Sequence, residues 1–272
     1  MEHLLDFSGQ HVFVAGGTSG INLGIAEGFA QAGANLSVLS RSQEKIDAAC
    51  ARLSAAGSGK VAGFAADVRE YKALEAAFAA AADQLGEIGV LVSGAAGNFP
   101  ATALNMSPNA FKSVMDIDLL GSYQVLRAAH PYLQKPGASV INISAPQAFN
   151  AMELQSHVCA AKAGVDMLTR VLAMEWGAEG IRVNSIVPGP IDGTEGMARL
   201  APNPQMRKLV TETVPLGRMG DPIDIARAAI MLSSPLAGYI SGAILPVDGG
   251  WSLGGASGAM QALAGMMRKA DT

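Results

Sequence analysis

Cysteine is scarce in this chain: two among 272 residues. Cys50 and Cys159 lie far apart with no CxxC spacing, which argues against a disulfide framework and leaves no ligand set for a structural zinc or other metal. A reducing compartment, the cytoplasm, fits that usage. Charge is also sparse, at 15% of residues, and 19 Lys and Arg against 23 Asp and Glu give a net charge of -4. No basic stripe is available for a nucleic-acid backbone or an anionic membrane surface, so nucleic acid is a poor partner. No uncharged apolar run reaches the ~18 residues that a membrane span requires. The first residues, MEHLLDFSGQ, lack the basic start and apolar stretch of a signal peptide, and the final KADT is not a peroxisomal address.

What the chain has in quantity is small and apolar residues. Half of it is hydrophobic and 32 residues are glycine, a composition for closely packed helices and sheet rather than a solvated chain. Apolar, β-branched runs recur at 11–16, 35–40, 61–67, 88–94, 139–144, 181–187 and 243–249. Between them lie stretches with helical apolar spacing, such as LGIAEGFAQAG ending at Gly33 and EAAFAAAADQLG ending at Gly86, where glycine is the expected stop. Strand and helix in alternation imply parallel pairing with right-handed crossovers. The sequence therefore predicts one α/β domain, a doubly wound seven-stranded parallel sheet, with no repeat or linker to mark a second. From Pro188 to Gly220 the rhythm breaks into PGP, PNP and short helical pieces, a segment read as the cover of a substrate site.

The first predicted strand runs into AGGTSGINLG and then a helix. Such a turn lets backbone approach a pyrophosphate at a helix N-terminus, with its free N–H groups and positive dipole end. Gly16, Gly20, the AADV at 65–68, SGAAG at 93–97, Lys162, IRVNSIVPGPI at 181–191 and the late PVDGG together resemble the short-chain dehydrogenase/reductase family, in the family's order and over nearly the whole chain. The resemblance implies a Rossmann-type fold, an NAD(P) cofactor and a homotetramer. It places Gly16, Thr18, Ser19, Gly20 and Ile21 at the pyrophosphate, Asp67 and Val68 at the adenine, Gly94 and Ala95 at the adenosine ribose, and Pro188, Gly189 and Ile191 at the nicotinamide. One glycine of the turn is replaced by Asn22, a residue that tolerates left-handed backbone and caps helices. At the end of the second strand Ser40 and Arg41 stand where an acid would repel a 2′-phosphate, so NADPH is favoured over NADH; the alternative is that Arg41 is a solvated surface charge.

Carbonyl chemistry in this family uses a tyrosine four residues before the lysine, a serine and an asparagine. Carried over, these positions hold Val158 in HVCAAK, Ala145 in NISA and Asp118 in MDIDLLG; only Lys162 is kept. Valine and alanine neither donate a proton nor hold an oxyanion, which argues against an ordinary alcohol dehydrogenase. Val158 and Lys162 share a helix face, so the lysine still reaches a nucleotide. SGAAGNF, VMDID and GPIDGTEG are further similar to the 2,4-dienoyl-CoA reductases of the peroxisomal branch, where an aspartate replaces the asparagine. That resemblance implies NADPH-dependent reduction of a 2,4-dienoyl-CoA to a 3-enoyl-CoA in unsaturated fatty-acid metabolism, with an acyl-CoA as partner.

Hydride delivered to the far end of a dienoyl thioester gives a delocalised dienolate that is protonated afterwards on carbon, so no tyrosine is demanded and water can supply the proton. Asp118 is the candidate to hold that water, its ionisation favoured by Lys162 and opposed by burial; the plain alternative is a brace at a helix junction. Asp248 is a second candidate, or else scaffolding of the PVDGG turn. His157 is a general acid or a packed residue, and Asn98 and Phe99 lie near the substrate mouth. Met197, Met206, Met219 and the pair Met266 and Met267 line an acyl channel or fill core gaps, and the tail after Trp251 could fold over a neighbouring subunit. Three functions fit: an enoyl-thioester reductase, a reductase of another conjugated acceptor, and a non-catalytic nucleotide-binding protein.

Overall fold

A computed structural model describes residues 2–254, Met260 and Leu263. Seven strands, β1 His11–Ala15, β2 Asn35–Ser40, β3 Val61–Ala65, β4 Ile88–Ser93, β5 Ser139–Ile143, β6 Arg182–Pro188 and β7 Ile244–Val247, form one sheet in the order β3-β2-β1-β4-β5-β6-β7. Every pairing is parallel. The expected strands are all present: β2 has the expected bounds, β6 is shifted by one residue, and the others are shorter by one to three residues.

Period-two alternation divides each central strand between two cores. Val12 and Val14 of β1 face one layer with Ile25 and Phe29 of α1 (Gly20–Gln31), Leu53 of α2 (Gln43–Ala56) and Ile225 of α9 (Pro222–Ser233). Phe13 and Ala15 face the other, with Leu74 and Phe78 of α3 (Tyr71–Leu85), Leu126 of α5 (Gly121–Ala129) and Leu172 of α6 (Ser156–Trp176). Burial on both faces explains why these strands read as largely apolar runs. Phe13 and Phe78 meet with ring centroids 4.3 Å apart; fully burying each such ring stabilises the fold by about 1.5–3 kcal/mol.

Strand order reverses between β1 and β4, which opens the crevice where doubly wound sheets bind ligands. Two further features frame it. The helix α4 (Pro108–Val114) reaches α5 through a π-helical turn, Met115–Leu120, and this turn carries Asp118. The 188–220 segment holds α7 (Glu195–Leu200) and α8 (Pro204–Glu212), capped by the Thr194 and Asn203 side chains. Backbone bonds between Gly220 and Pro190 and between Asp192 and Gly220 tie off its base. Met197, Met206 and Met219 gather with Leu200, Ala201 and Val210 into its own small core, which is gap filling. The other methionines singled out, Met266 and Met267, and most of the tail after Trp251 lie outside the described residues.

Candidate active site

The turn from β1 into α1 meets the end of β4 at very short range. Gly16 has φ +79°, and a Cβ there would stand 3.1 Å from the Ala95 nitrogen. A Cβ on Gly94 would come within 2.2 Å of Asn22 Oδ1, so this pair of loops admits no side chain. Asn22, in place of the expected glycine, donates from Nδ2 to the Gly94 carbonyl at 2.8 Å, and its buried Oδ1 has no partner. Ser19 is the N-cap of α1 and makes no side-chain cap bond, so the first N–H groups of the helix face the crevice unspent. Thr18 lies in the turn, Gly20 starts the helix beside Thr194 of the covering segment, and Ile21 packs against the first core. The cradle and the open helix end suit a dinucleotide pyrophosphate.

At the end expected to take the adenosine, Asp67 is held by Arg69, which donates from its backbone N–H, Nε and Nη2 at 3.0, 3.0 and 2.6 Å. That grip lowers the Asp67 carboxyl pKa, opposed by desolvation and helped by Arg41. The exposed Arg41 follows Ser40, with Nη1 4.0 Å from an Asp67 oxygen. Sequence reasoning missed Arg69, although ADVR puts it only two residues past the expected adenine contact. Val68 is buried against Gly121.

Asp118 and Lys162 come together as the sequence implied. Gly97 N–H donates to Asp118 Oδ1 at 2.7 Å, Lys162 Nζ lies 3.8 Å from Oδ2, and the lysine also donates to the Ile143 carbonyl at 2.9 Å. Asp118 is 1% exposed. The competition left open by the sequence is decided by burial: desolvation raises its pKa against the pull of Lys162, the Gly97 N–H and His157. One helical turn past Lys162, buried Asp166 accepts from Ser185 Oγ at 3.2 Å. Desolvation raises its pKa too, against neighbouring hydroxyls, Arg170 and Lys162. This second acid was missed, though the i+4 spacing was there to read.

Val158 is buried with Val114 and Ala161, and Phe99, Met115 and Leu119 pack on them. The position of the missing tyrosine is therefore filled by apolar contacts. Half-buried Ala145 precedes a short helical turn, Pro146–Ala148. Pro188 ends β6, and Gly189 passes so close to Asp248 that a Cβ would meet its Cα at 2.7 Å. Ile191 is buried in the first core. Both Asp248 oxygens accept backbone N–H groups, from Gly250 and Ser252, each at 2.8 Å. Asp248 thus stands beside the expected nicotinamide strand end while bracing its own turn.

The covering segment touches the site through Arg199, which donates to the Asn98 carbonyl at 3.0 Å. Its cations are paired: Arg199 with Glu195, Arg207 with Asp192, Lys208 with Glu212 and Arg218 with Asp224. A phosphate-bearing substrate would have to exchange for one of these carboxylates. Among the described residues, no cluster of His, Cys, Asp or Glu is placed to hold a metal ion, and no helix is long and apolar enough to cross a membrane.

A Gly-lined dinucleotide cradle at the switch point of a parallel sheet, with a buried lysine beside it, defines a nicotinamide-dependent oxidoreductase of the short-chain dehydrogenase/reductase fold. The model of the enoyl-(acyl carrier protein) reductase family matches residues 15–252, and the chain belongs to that short-chain dehydrogenase/reductase family. It is 42% identical to the peroxisomal 2,4-dienoyl-CoA reductase [(3E)-enoyl-CoA-producing] of Rattus norvegicus, over 88% of this chain and 82% of that one. It is 37% identical to the probable 2,4-dienoyl-CoA reductase [(2E)-enoyl-CoA-producing] of Bacillus subtilis, over 88% and 95%. Among solved structures it is similar to the Pseudomonas aeruginosa RhlG/NADP active-site complex, with a TM-score of 0.86, 28% identity and coverage of 93% of this chain and 100% of that one.

Proposed function

We propose that this protein reduces a 2,4-dienoyl-CoA to a 3-enoyl-CoA, or a related conjugated thioester to its corresponding reduced product, with NADPH and without a catalytic tyrosine. The observation that carries the reading is Asp118: buried, held by the Gly97 N–H, 3.8 Å from Lys162, and next to a Val158 sealed in apolar packing. A ketone reductase would need a hydroxyl there; a conjugated thioester does not. Bound NADPH would supply a hydride to C5 of the dienoyl chain, the electron pair moving along the conjugated system to the thioester oxygen. A proton must then reach carbon, at C2 for the 3-enoyl product.

Lys162 orients the nucleotide ribose and stands against Asp118. A carboxyl with a raised pKa is suited to holding the water that delivers the proton, and Asp248 is a second group for the same water. Gly16, Thr18, Ser19, Gly20 and Ile21 hold the pyrophosphate, Ser40, Arg41, Asp67 and Val68 the adenosine end, Gly94 and Ala95 its ribose, and Pro188, Gly189 and Ile191 the nicotinamide. Arg41 and Arg69, both set against the Asp67 carboxylate, make the adenosine rim cationic, which supports NADPH over NADH. The exposed apolar residues Leu120 at the end of the π-helical turn, Tyr123 on α5, and Met167, Val171 and Met174 on α6 support a homotetramer. The free thiols of Cys50 and Cys159 suit a reducing compartment such as the cytoplasm.

The test is NADPH oxidation with a 2,4-dienoyl-CoA and, in parallel, acetoacetyl-CoA and the free dienoic acid, each repeated on Asp118→Ala and Lys162→Ala. Turnover of the dienoyl thioester alone, lost in Asp118→Ala, supports the reading. Turnover of acetoacetyl-CoA or of the free acid instead moves the substrate class, and tight NADPH binding without turnover favours a non-catalytic role. A second product reading comes from the Bacillus subtilis relative, named for a (2E)-enoyl product. In deuterated water, label at C2 marks the 3-enoyl product and label at C4 the 2-enoyl one.

A further inference from the structure

Three anomalies cluster at the mouth of the site and are used by nothing described so far. Leu154 holds φ +66°, left-handed backbone that a branched side chain avoids unless its surroundings impose it. Gln155, 4% exposed, leaves its Oε1 without a partner. His157 in the first turn of α6 is fully buried, at 0% exposure, and neither ring nitrogen reaches full hydrogen-bond geometry with a partner, the Phe99 carbonyl being the group set against the ring. A buried polar atom left unmatched costs about 1–3 kcal/mol, so an imidazole with neither nitrogen fully matched marks a place where a partner arrives.

That place is the substrate mouth. The His157 ring packs on Phe99 with centroids 4.5 Å apart. Phe99 follows Gly97, whose N–H holds Asp118, and Asn98, whose carbonyl is held by Arg199 of the covering segment. Ala101 N–H donates to the Leu154 carbonyl at 3.1 Å, which clasps this loop to the one leading into α6. His157 is near enough to Asp118 to act on it electrostatically. Asp118, bound to the Gly97 N–H, is assigned to the water, and Lys162, bound to the Ile143 carbonyl, to the nucleotide ribose, while the Val158 and Ala145 side chains offer no polar group. The charge that collects on the thioester oxygen still requires a donor.

We infer that His157 supplies it: one imidazole N–H donates a hydrogen bond to the thioester oxygen of the acyl substrate, in place of the absent tyrosine and serine. The inference rests on the dienoyl-thioester reading above. The donor keeps its proton. Burial lowers the His157 pKa against the opposing Phe99 carbonyl and Asp118 carboxylate, which keeps the ring neutral, as a hydrogen-bonding electrophile rather than an acid.

The test is spectroscopic and avoids turnover. A hydrogen bond to the thioester oxygen polarises the conjugated chain and shifts its absorption to the red, so a 2,4-dienoyl-CoA is bound to NADP+-loaded protein and its spectrum recorded. The wild type should show the shift. His157→Phe, which keeps a ring against Phe99 and loses the donor, should abolish the shift and lower kcat by roughly 10²- to 10³-fold, the usual effect of removing one oxyanion donor. NADP+ affinity should be unchanged. His157→Gln, which keeps an N–H and loses the ring, should retain most of the shift. An unaltered shift and kcat in His157→Phe, or equal loss in both variants, overturns the inference and leaves the dienoyl reading standing. A wild type that neither shifts the spectrum nor turns over the dienoyl-CoA overturns both.

Discussion

Asp118→Asn separates a proton-handling group from a brace more sharply than alanine does, because the amide keeps the shape and can still accept the Gly97 N–H now held at 2.7 Å. Two terms change. The gross attraction between unit charges 3.8 Å apart is about 4 kcal/mol at an effective dielectric near 20. Against it stands the desolvation of a carboxylate that is 1% exposed, several kcal/mol for a buried ion. Desolvation is the larger, as the raised pKa records. By this balance the amide should leave the fold at neutral pH at least as stable as wild type, rather than the about 3–5 kcal/mol less stable expected where a buried partner is left with an uncompensated charge. Turnover should behave differently: a lost proton-transfer group lowers kcat by roughly 10²- to 10⁴-fold, about 3–5 kcal/mol in barrier.

The sign of the pH effect is fixed by the same shift. A carboxyl raised in the folded state contributes stability that is fully present below its ordinary value near 3.8. That stability is lost as pH rises through the folded value, because the folded state binds the extra proton in between. Denaturant unfolding across acid pH should show this fall in the wild type and a smaller one in Asp118→Asn, where the share of Asp166 persists. Asp118→Asn with NADPH-dependent dienoyl-CoA turnover within about threefold of wild type would refute the reasoning and make Asp118 a brace.

Arg41→Ala should weaken NADPH binding by roughly ten- to a hundredfold, the scale of one charge-assisted hydrogen bond, and leave NADH affinity unchanged; fluorescence titration of both nucleotides checks it. Gly94→Ala drives a Cβ to within 2.2 Å of Asn22 Oδ1. It should cost about 1–3 kcal/mol in overpacking and remove the thermal stabilisation that added NADPH gives the wild type. Val158→Tyr should not create a ketone reductase, because the side chain is sealed against Val114 and Ala161; a lowered Tm with no acetoacetyl-CoA turnover is the expected result. Activity on acetoacetyl-CoA in that variant would show that the pocket opens for a ring.

The sheet was legible because its strands are buried on both faces, so the strands read as largely apolar runs bounded by turn residues, as with Val12 to Ala15 between its two cores. The absence of a further strand between Pro188 and Gly220, where α7 and α8 lie, was legible for the opposite reason: the segment has turn and cap residues with no run long enough for a strand. The π-helical turn at Met115–Leu120 was not. Its residues, MDIDLL, have ordinary helical character, and the extra residue per turn that swings Asp118 inward is a tertiary adjustment with no pattern in one sequence.

Charge placement failed to read out for a related reason. Asp118 could be named from its position beside Lys162 in the family pattern, yet the direction of its pKa depends on how much water the packed turn excludes, which spacing does not encode. Asp67 and Arg69 make the same point in reverse: Asp67 was singled out from AADV, while the arginine that occupies its carboxylate stood two residues further on. Asn22 is the instructive departure. As sequence it is a missing glycine in a phosphate-binding turn; as structure it is a side chain folded back onto the Gly94 carbonyl, cross-linking the two loops between which the nucleotide cradle lies. A contact 72 positions away along the chain turns an apparent defect into a strut, and only the fold brings those two positions together.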